Sequence, residues 1–268
     1  MKRAVNYIQK QYEGFLQTPN LWKGSSIASL EQFELNAHPH RIKLAKPELR
    51  LGKRVEQFVA FQLEKEGSSV IASNIQIKKE KETIGEIDFI IQKNNKPIHL
   101  EVCYKYYLFD PYFEGKEIEK WIGPNRRDSF KLKLEKLQNK QFPLLHNPAT
   151  KFELSALKIA TEKIEQKVLF KAQLYIPAAH EFQNNLPINE LNIQGFYYRL
   201  TELDSFSDCK FFIPKKPDWL ITPFPQINWL NYDNFKKDIS THLSQNSAPL
   251  CWLKKPSGAI EKLFVVWW

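Results

Sequence analysis

The stretch from Gly85 to Lys105 constrains what this chain can fold into more than any other. It reads Gly-Glu-Ile-Asp-Phe-Ile-Ile-Gln, then Lys-Asn-Asn-Lys, then Pro-Ile-His-Leu-Glu-Val-Cys-Tyr-Lys. Runs rich in Ile, Phe, Leu and Val flank Asn94-Asn95, and asparagine favours tight hairpin turns. With those two residues as the turn, Lys93 faces Lys96, and counting back puts Asp88 directly opposite Glu101. That is a non-hydrogen-bonded position, where side chains are closest. Pro97 falls at such a position too, so its missing N–H leaves the ladder intact.

Period-two alternation sorts the two faces. One carries Ile87, Phe89, Ile91, Ile98, Leu100, Val102 and Tyr104, an apolar surface for the core. The other carries Glu86, Asp88, His99, Glu101 and Lys105, with Ile90 and Cys103 between them. Opposed carboxylates repel each other. A divalent cation between them would turn that liability into a site, because Mg²⁺ takes carboxylate oxygens and keeps several waters. The competing reading is a solvated outer face, since a one-residue slip in register would scatter the pair; His99 is expected to be a plain surface histidine, with positioning of substrate as the alternative.

Around this hairpin the pattern predicts further elements. Residues 1–45 read as helical and irregular, broken by Pro19, Gly24 and His38-Pro39-His40. From Pro47 to Glu66, Leu51, Val55, Phe58, Val59 and Leu63 recur at helical spacing and Gly67 is placed to end the helix. Glu56 sits at the margin of that helix's buried face, and Gly52, one turn earlier, leaves room for close approach. Residues 70–77 alternate weakly, a basic helix is expected from about 128 to 141, and 168–176 read as another strand. The remainder is strand-rich, ending in Leu-Phe-Val-Val-Trp-Trp, which suits a buried strand. The order for 47–176 is helix, three strands, helix, strand.

Composition narrows the class. No window approaches the ~18 uninterrupted apolar residues of a membrane span, and the first residues lack the apolar run of a signal peptide. Three cysteines, at 103, 209 and 251, suggest neither a disulfide framework nor a zinc site, so a reducing, cytoplasmic setting is expected. With 39 Lys+Arg against 30 Asp+Glu the chain carries a net charge of +9, which favours polyanionic partners. Walker, dinucleotide-binding and Gly-x-Ser-x-Gly motifs do not occur, and His38 and His40 have no third ligand at useful spacing.

A helix bearing Glu56, Gly85-Glu86-Ile87-Asp88 on one strand, and Glu101 followed by Lys105 on the next together resemble the PD-(D/E)XK (restriction endonuclease-like) superfamily. More closely, the chain is similar to the DUF1853 family of bacterial proteins. That match rests on Leu51-Gly52-Lys53-Arg54-Val55-Glu56, Gly85–Ile90, His99-Leu100-Glu101, Lys105-Tyr106-Tyr107-Leu108, Trp121-Ile122-Gly123-Pro124-Asn125 with Asp128, Gln141-Phe142-Pro143-Leu144, and Trp219-Leu220.

The resemblance implies an α/β protein with an αβββαβ core around a mixed central sheet over 47–180. A helical extension (1–46) would precede it, and a strand-rich extension (181–268) would pack on it. It also implies Asp88 and Glu101 as ligands of Mg²⁺ or Mn²⁺, Glu56 as a third acid acting directly or through water, and Lys105 as the catalytic lysine. The superfamily's usual lysine position, two residues after the second acid, is Cys103 here. Lys105 lies roughly 13 Å along the strand from Glu101. Arg126, Arg127, Lys131 and Lys133, in a basic run with Lys136 and Lys140, would grip phosphates of DNA or RNA; a solvated helix face is the alternative. Three functions follow: a metal-dependent nuclease, a nucleic-acid-binding module that has lost chemistry, or an interaction protein with a structural acidic face.

Overall fold

The computed structural model describes residues 6–43, 49–155 and 163–268; the expected helix start at Pro47 lies outside them. Helix α1 (Tyr7–Gln17) is followed, after an irregular stretch, by α2 (Leu51–Lys65). The predicted stripe of Val55, Phe58, Val59 and Leu63 is buried. At the end of α2, Gly67 takes a positive φ of 75°. The amides of Gly67 and Ser68 reach back to the carbonyls of Glu64 (3.2 Å) and Leu63 (2.9 Å), which stops the helix.

Three strands then form an antiparallel meander: β1 (Ser69–Lys79), β2 (Glu82–Lys93) and β3 (Lys96–Phe109). Asn94 and Asn95 both have positive φ, 51° and 62°, as a type I′ turn requires. From Lys93 opposite Lys96 to Phe89 opposite Leu100 the register is the expected one, but the ladder ends there, so the expected pair of Asp88 directly opposite Glu101 is not formed. Next come β4 (Trp121–Ile122), α3 (Phe130–Lys136), a π turn (Leu137–Gln141), α4 (Phe142–Leu144), α5 (Pro148–Ser155) and β5 (Glu165–Pro177). The chain continues with β6 (Ile193–Arg199), β7 (Lys210–Phe212), α6 (Tyr232–Ser244), β8 (Leu250–Lys254) and β9 (Ile260–Val266).

Among the described residues nine strands join one mixed sheet in the order β1-β2-β3-β5-β6-β9-β8-β7, with β4 on the flank of β3. The central run β3, β5, β6, β9 is parallel. The strands after residue 181 therefore continue the same sheet edge to edge. Both faces are covered. Helices α1 and α2 bury Phe89, Ile91, Leu100 and Tyr106 on one side, while α3 and its π turn bury Cys103, Tyr107 and Phe170 on the other. Such two-sided burial explains why β3 and β5 read as nearly continuous apolar runs.

The alternation of β2 departs from expectation at one place. Ile87 packs with Ile90, Leu144 and Leu145 rather than with Phe89, and Glu86 turns toward α2, where it meets Lys53 at 2.6 Å. The period breaks between them, at Asp88. On β1 the facing residue is Asn74, whose φ is +54°. No helix of the described residues is long and apolar enough to cross a membrane, and all three cysteines are buried and unpaired.

Candidate functional site

The ladder between β2 and β3 runs as far as Phe89–Leu100 and stops. In a continued ladder the Val102 amide would donate to the Ile87 carbonyl; instead it donates to the side chain of Asp88, at 2.9 Å from Oδ2. The strands part here, and the carboxylate of Asp88 occupies the gap beside Glu101.

Glu101 is fully buried and held on both oxygens. His99 Nε2 lies 2.8 Å from Oε1, and the amide nitrogen of Gln141 donates to Oε2. The tautomer of His99 follows from its other side. Gln166 Nε2 donates to the Phe142 carbonyl at 2.7 Å and faces His99 Nδ1 at 3.1 Å, so Nδ1 accepts and Nε2 carries the hydrogen. Lys133, one turn into α3, donates to Gln141 Oε1 at 2.7 Å. The amide of Gln141 thus links an ammonium to a carboxylate. The π turn puts it there, since π geometry shifts the residues that follow around the helix axis.

Charge is crowded in this corner. Burial first, and then the negative charge of Glu101, push the Asp88 carboxyl up to about 7, against the pull of the Val102 amide. Glu56, on α2, is also raised by burial, with Lys53 opposing and the charges of Glu86 and Glu101 adding. Lys53 spans Glu56 (2.9 Å) and Glu86 (2.6 Å) and also reaches Asn74. Burial works against the charge of Lys133, yet Cys103, Glu101 and Asp88 keep its pKa above the ordinary lysine value. The charges of Glu56 and Glu101 thus both act on Asp88, that of Glu101 also acts on Glu56, and Lys133 feels Asp88 and Glu101.

Among the described residues no trio of His, Cys, Asp or Glu side chains converges tightly enough to hold an ion alone. The carboxylates of Asp88 and Glu101 are the oxygen donors at this corner, and both oxygens of Glu101 already accept hydrogen bonds. Mg²⁺ is commonly held by one or two carboxylates plus water and substrate phosphate, rather than by an all-protein cage.

The other residues singled out in the sequence lie elsewhere. The ammonium of Lys105 is held by Asp128, at 2.7 Å from Oδ2, rather than by the acids. Arg126 pairs with Asp110 at 2.9 Å and lies over the ring of Trp268, and Lys131 pairs with Glu119. Arg127 is exposed and, with Lys105 and Lys133, lines a cleft of about 1100 Å³. Arg50, Lys215 and Lys216 add to its rim, and Gly52 and Cys103 to its wall. An added Cβ at Gly52 would meet nothing within 4 Å, so the wall there stands open.

Gln141 carries no expected role, His99 is buried rather than at the surface, and Lys133, expected only to bind phosphate, instead donates to Gln141. The parity of His99 with Glu101 was the available sign for the first contact. The π turn that brings in Gln141 has no signature in the apolar spacing of Phe130, Leu134 and Leu137.

Fold and site together define a mixed α/β protein with an acidic cluster where two central strands separate, next to a cleft rimmed by basic side chains. A family model described as Domain of unknown function (DUF1853) matches residues 6–266, and the chain belongs to that family. Neither the curated proteins nor the solved structures contain a match to it.

Proposed function

We propose that this protein is a metal-dependent nuclease of the PD-(D/E)XK type, acting on DNA or RNA, with Asp88 and Glu101 as its Mg²⁺ or Mn²⁺ ligands. One observation carries the reading: two carboxylates held against their own repulsion, with Asp88 raised to about 7, beside a lysine and a basic cleft. A cation bound there would supply a polarised phosphodiester and an activated water. Glu56, coupled to Glu101 and Asp88, is the third acid and orients that water on this reading. Lys133 takes the charge-stabilising role that the resemblance assigned to Lys105, because its ammonium is bonded to Gln141 and feels the charges of Glu101 and Asp88, while that of Lys105 is tied to Asp128. His99 and Gln141 fix the carboxylate plane of Glu101, as outer partners of metal ligands do. Arg127, Lys105, Lys215 and Lys216 supply phosphate contacts along the cleft.

A second reading is favoured by the bonds of Glu101. Both of its oxygens already accept a hydrogen bond, which suits a module that binds nucleic acid without cutting it. Cleavage of a panel of single- and double-stranded DNA and RNA with Mg²⁺ or Mn²⁺ separates the two. On the nuclease reading, wild type cuts and Glu101→Gln loses most of the rate, about 10²-fold or more, since a carboxamide cannot supply the anionic charge. Lys133→Met slows cleavage with little change in metal affinity, and Lys105→Met does not. Cleavage that survives Glu101→Gln sinks the assignment; binding without cleavage by wild type moves it to the second reading.

A further inference from the structure

A second depression lies across one loop from the basic cleft. It measures about 440 Å³ and is walled by Tyr112, His180, Tyr197 and Trp268, with Arg126 and Arg199 at its sides. It opens just beyond the carboxyl ends of three parallel strands, since Asp110 follows β3, Pro177 ends β5 and Arg199 ends β6. Open α/β sheets place ligands in such a position. Its lining combines these rings and the two guanidinium groups with three carboxylates, Asp110, Glu114 and Glu202. Tyr112 is 79% exposed, an unusual state for a ring this large. The Tyr112 and His180 rings stand 6.3 Å apart at 55°, and Trp268 lies 5.3 Å from Tyr197 with the guanidinium of Arg126 at 4.7 Å. Two of the nearby carboxylates are already engaged, Asp110 by Arg126 and Glu202 by the Arg199 amide.

The two depressions share a thin partition. Arg126 lines the aromatic pocket and Arg127 the basic cleft, so adjacent residues, with Cα atoms about 3.8 Å apart, face both spaces. The partition is braced: Trp268 Nε1 donates to the Pro124 carbonyl at 3.2 Å, and the Gly123 amide to Asp128 at 2.8 Å. We propose that the aromatic pocket receives an unpaired base of a nucleic-acid strand whose phosphates follow the basic cleft, so that the preferred partner is single-stranded or carries a single-stranded segment. The inference rests on the nucleic-acid reading of the cleft but not on catalysis. Aromatic stacking accepts any base face, and a paired base is not available to it.

Binding in EDTA, where no metal-dependent cut can occur, is the test. The probes are a labelled oligothymidylate, an abasic strand of equal length and a blunt duplex. Wild type is expected to bind the oligothymidylate more tightly than the abasic strand. Tyr112→Ala should weaken oligothymidylate binding roughly 5- to 150-fold and leave the abasic strand unchanged, while Tyr112→Trp keeps the preference. Because Tyr112 is so exposed, its truncation leaves the core untouched. Arg127→Glu should weaken every probe alike. If wild type holds the abasic strand as tightly as the oligothymidylate while Arg127→Glu still weakens both, the cleft stands and the base pocket falls. If wild type prefers the duplex, the pocket falls as well. If no probe binds, both are overturned.

Discussion

Burial and the charge of Glu101 make Asp88 keep its proton far above the pH at which an unfolded chain would release it. Its ordinary value is 3.8 and its folded value about 7. Between those limits the native state binds more protons than the unfolded state, so this residue's contribution to stability falls as pH rises from about 4 to 7 and then levels off. Asp88→Asn cannot ionise, keeps an oxygen for the Val102 amide, and removes one of the two like charges beside Glu101, leaving Glu56. The variant should therefore be more stable than wild type at pH 8 in EDTA, by up to about 4 kcal/mol at about 1.4 kcal/mol per pK unit. The difference should vanish toward pH 4, and added Mg²⁺ should narrow it at pH 8 by stabilising wild type alone. Thermal melts of both proteins across that range decide the matter. A gain that is independent of pH would mean that the charge of Asp88 is not what the fold works against.

At the scale of elements, what could be read in advance divides by the physics of each segment. Helix α2, the β2–β3 turn and β5 were legible because their cues are local: a 3.6-residue stripe closed by Gly67, two asparagines at positive φ, and a dense apolar run. Strand β1 showed only a weak pattern because it lies at the sheet edge and its pairing shifts between Val70 and Ala72, and such irregularities destroy a period of two. The break at Asp88 and the π turn after α3 were not legible, and they are what assemble the acids with Gln141. Both depend on partners distant in sequence. Helix α1 offers a similar case. An added Cβ at Gly14 would run into the carbonyl of Leu220, a backbone atom that cannot swing aside. The close approach lets Thr18 accept from Tyr104 across 2.7 Å while donating to the Gly14 carbonyl at 3.0 Å. Gly14→Ala should accordingly cost about 1–3 kcal/mol and lower the melting temperature by roughly 2–4 °C per kcal/mol. An unchanged melt would show that α1 can shift away from Leu220 freely.

At the scale of the whole molecule, the basic cleft is assembled from segments far apart in the chain. Arg50 precedes α2, Arg127 precedes α3, and Lys215 and Lys216 lie between β7 and α6. Net charge alone predicts only a diffuse attraction for polyanions, whereas a cleft predicts that particular lysines matter and others do not. Each phosphate neutralised by a cation releases counterions, so log K falls linearly with log salt concentration, with a slope of about −0.7 per contact for a single strand. Lys215→Glu and Lys216→Glu should each lower affinity for a single-stranded oligonucleotide and flatten that slope by about one contact. Lys78→Glu removes the same charge from the outer edge strand β1, outside the cleft lining, and should leave the slope unchanged. Fluorescence anisotropy titrations over a range of NaCl concentrations measure all four proteins alike. Equal flattening by Lys78→Glu would reduce the interaction to net charge. Flattening confined to the cleft lysines would place the phosphates against a surface to which residues on both sides of position 181 contribute.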